Sequence, residues 1–231
     1  AASDVYKRQG MEQALSCIPD IVVSDIMMPI MNGITMCKML KEDVRTSHIP
    51  IILLTAKDSL QDKEEGYQVG ADSYLTKPFS ATLLHSRINN LLESRKRLAE
   101  RLNTNTPHHN MDEKRALLAD SLNKLDNEFL EKINRLIEDR LSSEKIDIGY
   151  LADNMCMSKS TLYRKMKALT GLSTNEYVRK IKMQYAERLL LEGRYNVSEI
   201  AFRVGINSVV YFRQCFKEEF GVLPSDYLKQ P

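Results

Sequence analysis

Three polar residues stand where apolar runs end. Asp25 follows I-V-V-S within PDIVVSDIMMPIMNG (19–33), Thr55 closes IPIILLT (49–55), and Lys77 comes just after SYLT (73–76). In an open parallel sheet, functional groups collect at the carboxyl ends of the strands. Neighbouring parallel strands over these runs bring a carboxylate, a hydroxyl and an ammonium to one edge. That set suits phosphoryl transfer to a carboxylate. Asp25 is the nucleophile, Lys77 and the Thr55 hydroxyl bind phosphoryl oxygens, and a divalent cation neutralises the remaining charge. Pro29 and Gly33 shape the loop beside the aspartate, and Pro78 fixes the turn after the lysine.

The elements that must position these groups alternate. The pattern predicts helices over 11–18, 34–41, 61–69 (closed by Gly70) and 79 to about 102, with Ser80 the cap of the last. Between them it predicts strands over 20–24, 49–55 and 73–76. Such alternation implies a parallel sheet with crossover helices, an α/β unit.

The motifs D-I-M-M-P-x-M-N-G, L-L-T-A-K and G-A-D-S-Y-L-T-K-P-F, with their spacings, resemble the receiver domain of bacterial two-component response regulators, a flavodoxin-like fold. The resemblance implies that Asp25 is the phosphoacceptor, that Met27 lends a backbone carbonyl to Mg²⁺, and that Thr55, Lys77 and Tyr74 are switch residues. The sequence departs from the family at its start. The opening strand, with its acidic pair for Mg²⁺, and the helix and strand after it have no counterpart, so metal binding and phosphorylation should be weak in this chain. The truncated sheet keeps three strands, with 20–24 as an exposed apolar edge. Residues 1–9 are set aside from the fold, because D-V-Y-K-R-Q (4–9) resembles the in-frame translation of a transposon end. The partial receiver is expected over 10–102.

A linker is expected over 103–112, where NTNTPHHN breaks the periodicity; His108 and His109 read as an exposed polar pair without further metal ligands. From 113 to 231 only helical periods occur, so an all-α domain is expected. This half repeats itself. SKSTLYRKMKALTGLSTNEY (158–177) aligns with SVVYFRQCFKEEFGVLPSDY (208–227) at an offset of 50, and LADNMCM (151–157) aligns with IAFRVGI (200–206) at 49. Each copy reads as a helix-turn-helix unit, at about 148–170 and 197–220, with its second helix free to enter a major groove. The helix predicted between them, 175–192, spans about 27 Å. It could hold two reading helices on adjacent turns of DNA, ~34 Å apart.

The paired units and the run G-x-N-S-x-x-Y-F-x-x-x-F-K-x-x-F-G-x-x-P-S-x-Y (205–227) resemble the AraC/XylS-type DNA-binding domain. The resemblance implies base reading by Ser160, Tyr163 and Arg164 in the first unit, and by Val209, Val210 and Gln214, with Arg213 alongside, in the second. Arg164 could fork onto a guanine, and the valines could pack on thymine methyls. Ser158, Lys159, Lys167, Ser208 and Lys217 are read as phosphate contacts. By period, Leu162, Met166, Phe212, Phe216 and Tyr227 are core.

The totals agree. The net charge of the chain is only +2, yet twelve cations face five acids between Tyr150 and Lys217, a net +7 that suits a polyanion. Four scattered cysteines, with no C-x-x-C pair, read as free thiols of a reducing cytosol. No window approaches the ~18 apolar residues of a membrane span. The sequence thus predicts a cytoplasmic transcription regulator and activator, switched by aspartyl phosphorylation and itself no enzyme. Its partners are promoter duplex DNA, a histidine kinase in cis or in trans, RNA polymerase and a second copy in a homodimer. Receiver followed by AraC-type unit also resembles the tail of hybrid sensors anchored in an inner membrane, which is preferred over a free-standing regulator. The alternative from another class is a protein-interaction adaptor with a degenerate helix-turn-helix domain. The lack of a Gly-rich phosphate loop, a metal cluster or a nucleophile–base pair speaks against a metabolic enzyme.

Overall fold

A computed structural model describes residues 12–28, 32–56, 68–103, 122–142 and 146–227. Residues 1–9, Pro29, most of the predicted 61–69 helix, the predicted linker from 104 on and the pair His108 and His109 lie outside them. A short helix α1 (12–17) ends at Ile18, whose φ is 42°. Then come β1 (Val22–Asp25), α2 (Gly33–Glu42), β2 (Ile51–Thr55), β3 (Ser73–Thr76) and the long α3 (Ala81–Asn103). The three strands form one parallel sheet in the order β1-β2-β3. The all-apolar Ile51–Leu53 stretch of β2 explains its central place: it is sealed on both faces, as parallel sheets require. Lys41 of α2 locks the layers, donating to the Ile49 carbonyl at 2.9 Å and to Asp72 at 2.6 Å, while Asp72 accepts from the Ile51 amide. As expected, β1 is an edge of the sheet among the described residues, and its Val23 stays 39% exposed.

The second half is helical throughout its described residues: α4 (Lys124–Glu138), α5 (Ile148–Asn154), α6 (Lys159–Thr170), α7 (Thr174–Leu191), α8 (Val197–Arg203), α9 (Val209–Phe220) and α10 (Pro224–Tyr227). Local chemistry sets the ends. Ser158 and Ser208 cap α6 and α9 through hydrogen bonds from the Thr161 and Tyr211 amides, and Gly171 and Gly221 close both helices with left-handed φ of 70° and 79°. A capping box between Ser173 and Glu176 starts α7. Two cores result. Phe129, Ile133, Ile137, Leu151, Leu162 and Met166 fill the first; Met183, Ile200, Val204, Phe212, Phe216 and Tyr227 fill the second. Helix α7 runs through both, contributing Val178 to one and Met183 to Leu190 to the other, with Tyr185 against each.

Candidate functional site

The parallel register does what the spacing requires. Asp25 pairs with Leu54 at the end of β1, Thr55 pairs with Thr76 at the ends of β2 and β3, and the Lys77 amide donates to the Thr55 carbonyl at 2.7 Å. Lys77 Nζ lies 2.5 Å from Asp25 Oδ2. Asp25 keeps a third of its side-chain surface open, so the carboxylate is reachable from outside. Thr55 is buried beside the pair, and Tyr74 lies half-buried against the receiver core. Gly33 is needed for space: a Cβ there would sit 2.3 Å from the Asp25 carbonyl oxygen. Its absence lets the start of α2, capped by the Asn32 side chain, close on the aspartate.

Met27 is well exposed, and Asp25 and the Met27 carbonyl stand as the donors that the sequence offers a cation. Among the described residues no group of three or more acidic, histidine or cysteine side chains could hold a metal. Asp25 Oδ2 is already engaged by Lys77. One occupied carboxylate and one carbonyl do not make a resident Mg²⁺ site, which takes ordered octahedral oxygen donors.

On the helical half, Ser160, Tyr163, Arg164 and Lys167 share one exposed face of α6, and Val210, Arg213, Gln214 and Lys217 share the corresponding face of α9. Five of these candidates have specific surroundings. Val209 is half-buried against the second core, and its outward neighbour is Tyr211, hydrogen-bonded to Arg179 of α7 and missed in the sequence. Gln214 donates to Glu218. The hydroxyls of Ser158 and Ser208 serve as helix caps, not as free surface groups. Lys159 is exposed but folds back toward Gly149 and Asp147.

The positive stretch is also less available than its tally. Lys165, Lys180 and Lys182 are interior. Lys180 reaches Glu219 at 3.8 Å and Lys182 reaches the Gly205 carbonyl at 3.4 Å. Lys165 is sealed completely, 2.5 Å from Asp126 and 3.0 Å from the Ser47 hydroxyl. Burial pulls its ammonium below the ordinary lysine value, and Asp126 opposes that. Two of them follow the apolar period: Lys165 lies between Leu162 and Leu169, and Lys182 between Val178 and Ala186. That was the signal to discount them.

These two regions place the chain in its class: an aspartate-bearing parallel sheet joined to paired helix-turn-helix units. Residues 5–89 match the response regulator receiver domain, and residues 151–230 match a helix-turn-helix domain. The chain carries a response regulator receiver domain followed by an AraC-type helix-turn-helix domain. It is 36% identical over 218 residues to "Histidine kinase P4" of Formosa agariphila, which covers 94% of this chain but 15% of that protein. It is 39% identical over 92 residues to the "DNA-binding dual master transcriptional regulator RpaA" of Synechocystis, covering 40% of this chain and 38% of that one. The C-terminal domain of AraT, a response regulator from Geobacillus stearothermophilus, aligns at 30% identity and a TM-score of 0.40, over 44% of this chain and 84% of that one. The chain thus spans 15% and 38% of the two curated relatives.

Proposed function

We propose that this chain is the output end of a phosphorelay: Asp25 accepts a phosphoryl group and the helical half binds promoter DNA. The observation that carries it is the 2.5 Å approach of Lys77 to Asp25 at the shared edge of β1 and β3. In the transfer, the P–N bond of a kinase phosphohistidine breaks and a P–O bond to Asp25 forms. Lys77 holds a phosphoryl oxygen, and the Thr55 hydroxyl and Tyr74 re-seat around the new group. The changed receiver surface alters access of Ser160, Tyr163, Arg164, Val210, Arg213 and Gln214 to bases, while Lys167 and Lys217 hold backbone phosphates. The similarity to a histidine kinase along nearly the whole chain supports the hybrid-sensor tail over a free-standing regulator. A cytoplasmic place, contact with RNA polymerase and pairing with a second copy follow from that reading. Among the described residues no helix is long and apolar enough to cross a membrane.

Incubation with phosphoramidate and Mg²⁺, followed by mass spectrometry, tests the acceptor. A hydroxylamine-sensitive phosphate at Asp25, lost in Asp25→Asn, is expected. Label at another residue contradicts the assignment. The incomplete donor set predicts low stoichiometry, and rapid complete labelling would overturn that part. A gel shift whose affinity falls steeply with salt separates a DNA reader from an adaptor, which would show none.

A further inference from the structure

The two reading helices are not equally available. Helix α9 turns Val210, Tyr211 and Arg213 to the outside, and Val210 is 77% exposed. Helix α6 instead lies against the receiver half. Leu98 and Val44 of that half pack on the core of the first unit, and Ala99 of α3 is buried. The outer face of α6 borders a cleft of about 570 Å³, with Tyr163, Arg164 and Lys167 on one wall and Leu92, Lys96 and Ala99 on the other. Across it the Arg164 guanidinium donates to the Ser16 carbonyl at 2.9 Å. Behind the helix, Ser47 of the receiver half bonds Lys165 and Asp126, and Asn123 donates to the Ser47 carbonyl.

A major groove about 12 Å wide admits one α-helix, which with its side chains is itself about 10–12 Å across. Two packed helices have axes about 8–10 Å apart, so α6 with α3 alongside is too thick to enter. The arginine fork that would meet a guanine already has a carbonyl partner. We propose that this packing is a closed state in which the receiver half withholds the first reading helix and leaves the second free. Opening requires α3 and the Ser16 turn to leave α6 together. The inference rests on the DNA-reading assignment above, so its test has a readout that needs no DNA.

Cys17 and Ala168 line the same cleft. The full chain with Ala168→Cys, in a Cys156→Ser background that removes the other exposed thiol, is treated with a short bismaleimide. The closed state predicts an intramolecular cross-link between Cys17 and position 168, suppressed by Leu98→Asp, which breaks the α3 contact. Circular dichroism of Leu98→Asp confirms that the helices persist; Leu92→Glu at the cleft wall serves if they do not. On a duplex carrying two adjacent half-sites, the cross-linked chain should bind roughly tenfold or more weaker than the opened variant, the worth of one bidentate arginine–guanine contact. No cross-link overturns the closed contact, whatever the DNA result. A cross-link with unchanged affinity overturns its inhibitory role. A cross-link with no DNA binding by the opened variant overturns the DNA-reading assignment, and the inhibitory role with it.

Discussion

The two helix-turn-helix units follow one pattern in sequence and occupy different surroundings in space. Their registers differ by 50, and that offset sets Lys165 against Cys215. Both positions are interior: Lys165 is fully buried and Cys215 is 2% exposed. In the second unit the position faces an apolar core whose aromatic rings Phe212, Phe216, Phe220 and Tyr227 pack edge or tilted on one another. In the first it carries a charge, and every partner of that charge is supplied: Asp126 from α4, itself held by Asn123, and Ser47 from the receiver half. The comparison teaches that a shared motif fixes which positions are inside, but not whether the inside is apolar. The polar interior also ties the first unit to the receiver. The described second unit has no such tie, its core being built from its own helices and α7.

The largest effect should come from breaking the charged interior. Asp126→Ala leaves a buried ammonium without its counter-charge and should cost about 3–5 kcal/mol, read as a lower urea midpoint. Cys215→Ala, its partner in the comparison, should cost only about 1 kcal/mol. The double change Asp126→Leu with Lys165→Met should recover most of the loss, because apolar replacement of a buried pair is often neutral. Equal costs for Asp126→Ala and Cys215→Ala would erase the distinction between the units. In the second unit, Phe216→Ala should remove about 3–5 kcal/mol through cavity formation. Hydrogen exchange should then rise in α8, α9 and α10 while α4 and α6 stay protected.

A smaller effect depends on pH. His48 is buried beside the junction, its Nδ1 has no hydrogen-bond partner among the described residues, and its pKa is pushed down to about 2 by burial, with Lys165, Arg95 and Lys41 adding repulsion. Below about pH 6.5 the unfolded chain takes up a proton that the folded chain refuses. Stability present above that pH should therefore be lost at about 1.4 kcal/mol per pH unit as pH falls. Urea midpoints at pH 7 and pH 5 should diverge more in the parent than in His48→Leu, and equal divergence would contradict it. An effect of about 1.5–3 kcal/mol is expected at Ser47→Ala, because the lost hydroxyl bonds both members of the buried charged pair. It should also raise the cross-linking-independent thiol accessibility of Ala168→Cys, since it loosens the receiver from the first unit.

Much of this was legible where the cause is local. The bounds of β3 coincide with those expected, and the ends of α6 and α9 have local causes, since the caps Ser158 and Ser208 and the terminators Gly171 and Gly221 adjoin the ends they set. The edge that gathers Asp25, Thr55 and Lys77 follows from strand direction alone. Asp25 nonetheless closes β1 where the strand was expected to stop at Ser24, since the ladder to Leu54 extends one residue further. What was not legible is long-range. Ser47 and Asp126 are 79 residues apart, and nothing local marks a serine in a loop as the partner of a sealed ion pair. Arg164 and Ser16 are separated by 148. Lys165, Lys180 and Lys182 were counted with the DNA-facing charge because a total ignores the helical period that places them inside.

The proposed difference in availability between α6 and α9 is tested most directly by hydroxyl-radical footprinting of the full chain on a duplex with two half-sites one helical turn apart. The parent should protect the half-site of α9 alone, and Leu98→Asp should extend protection to both turns. Protection of both turns by the parent at the same occupancy would contradict the account.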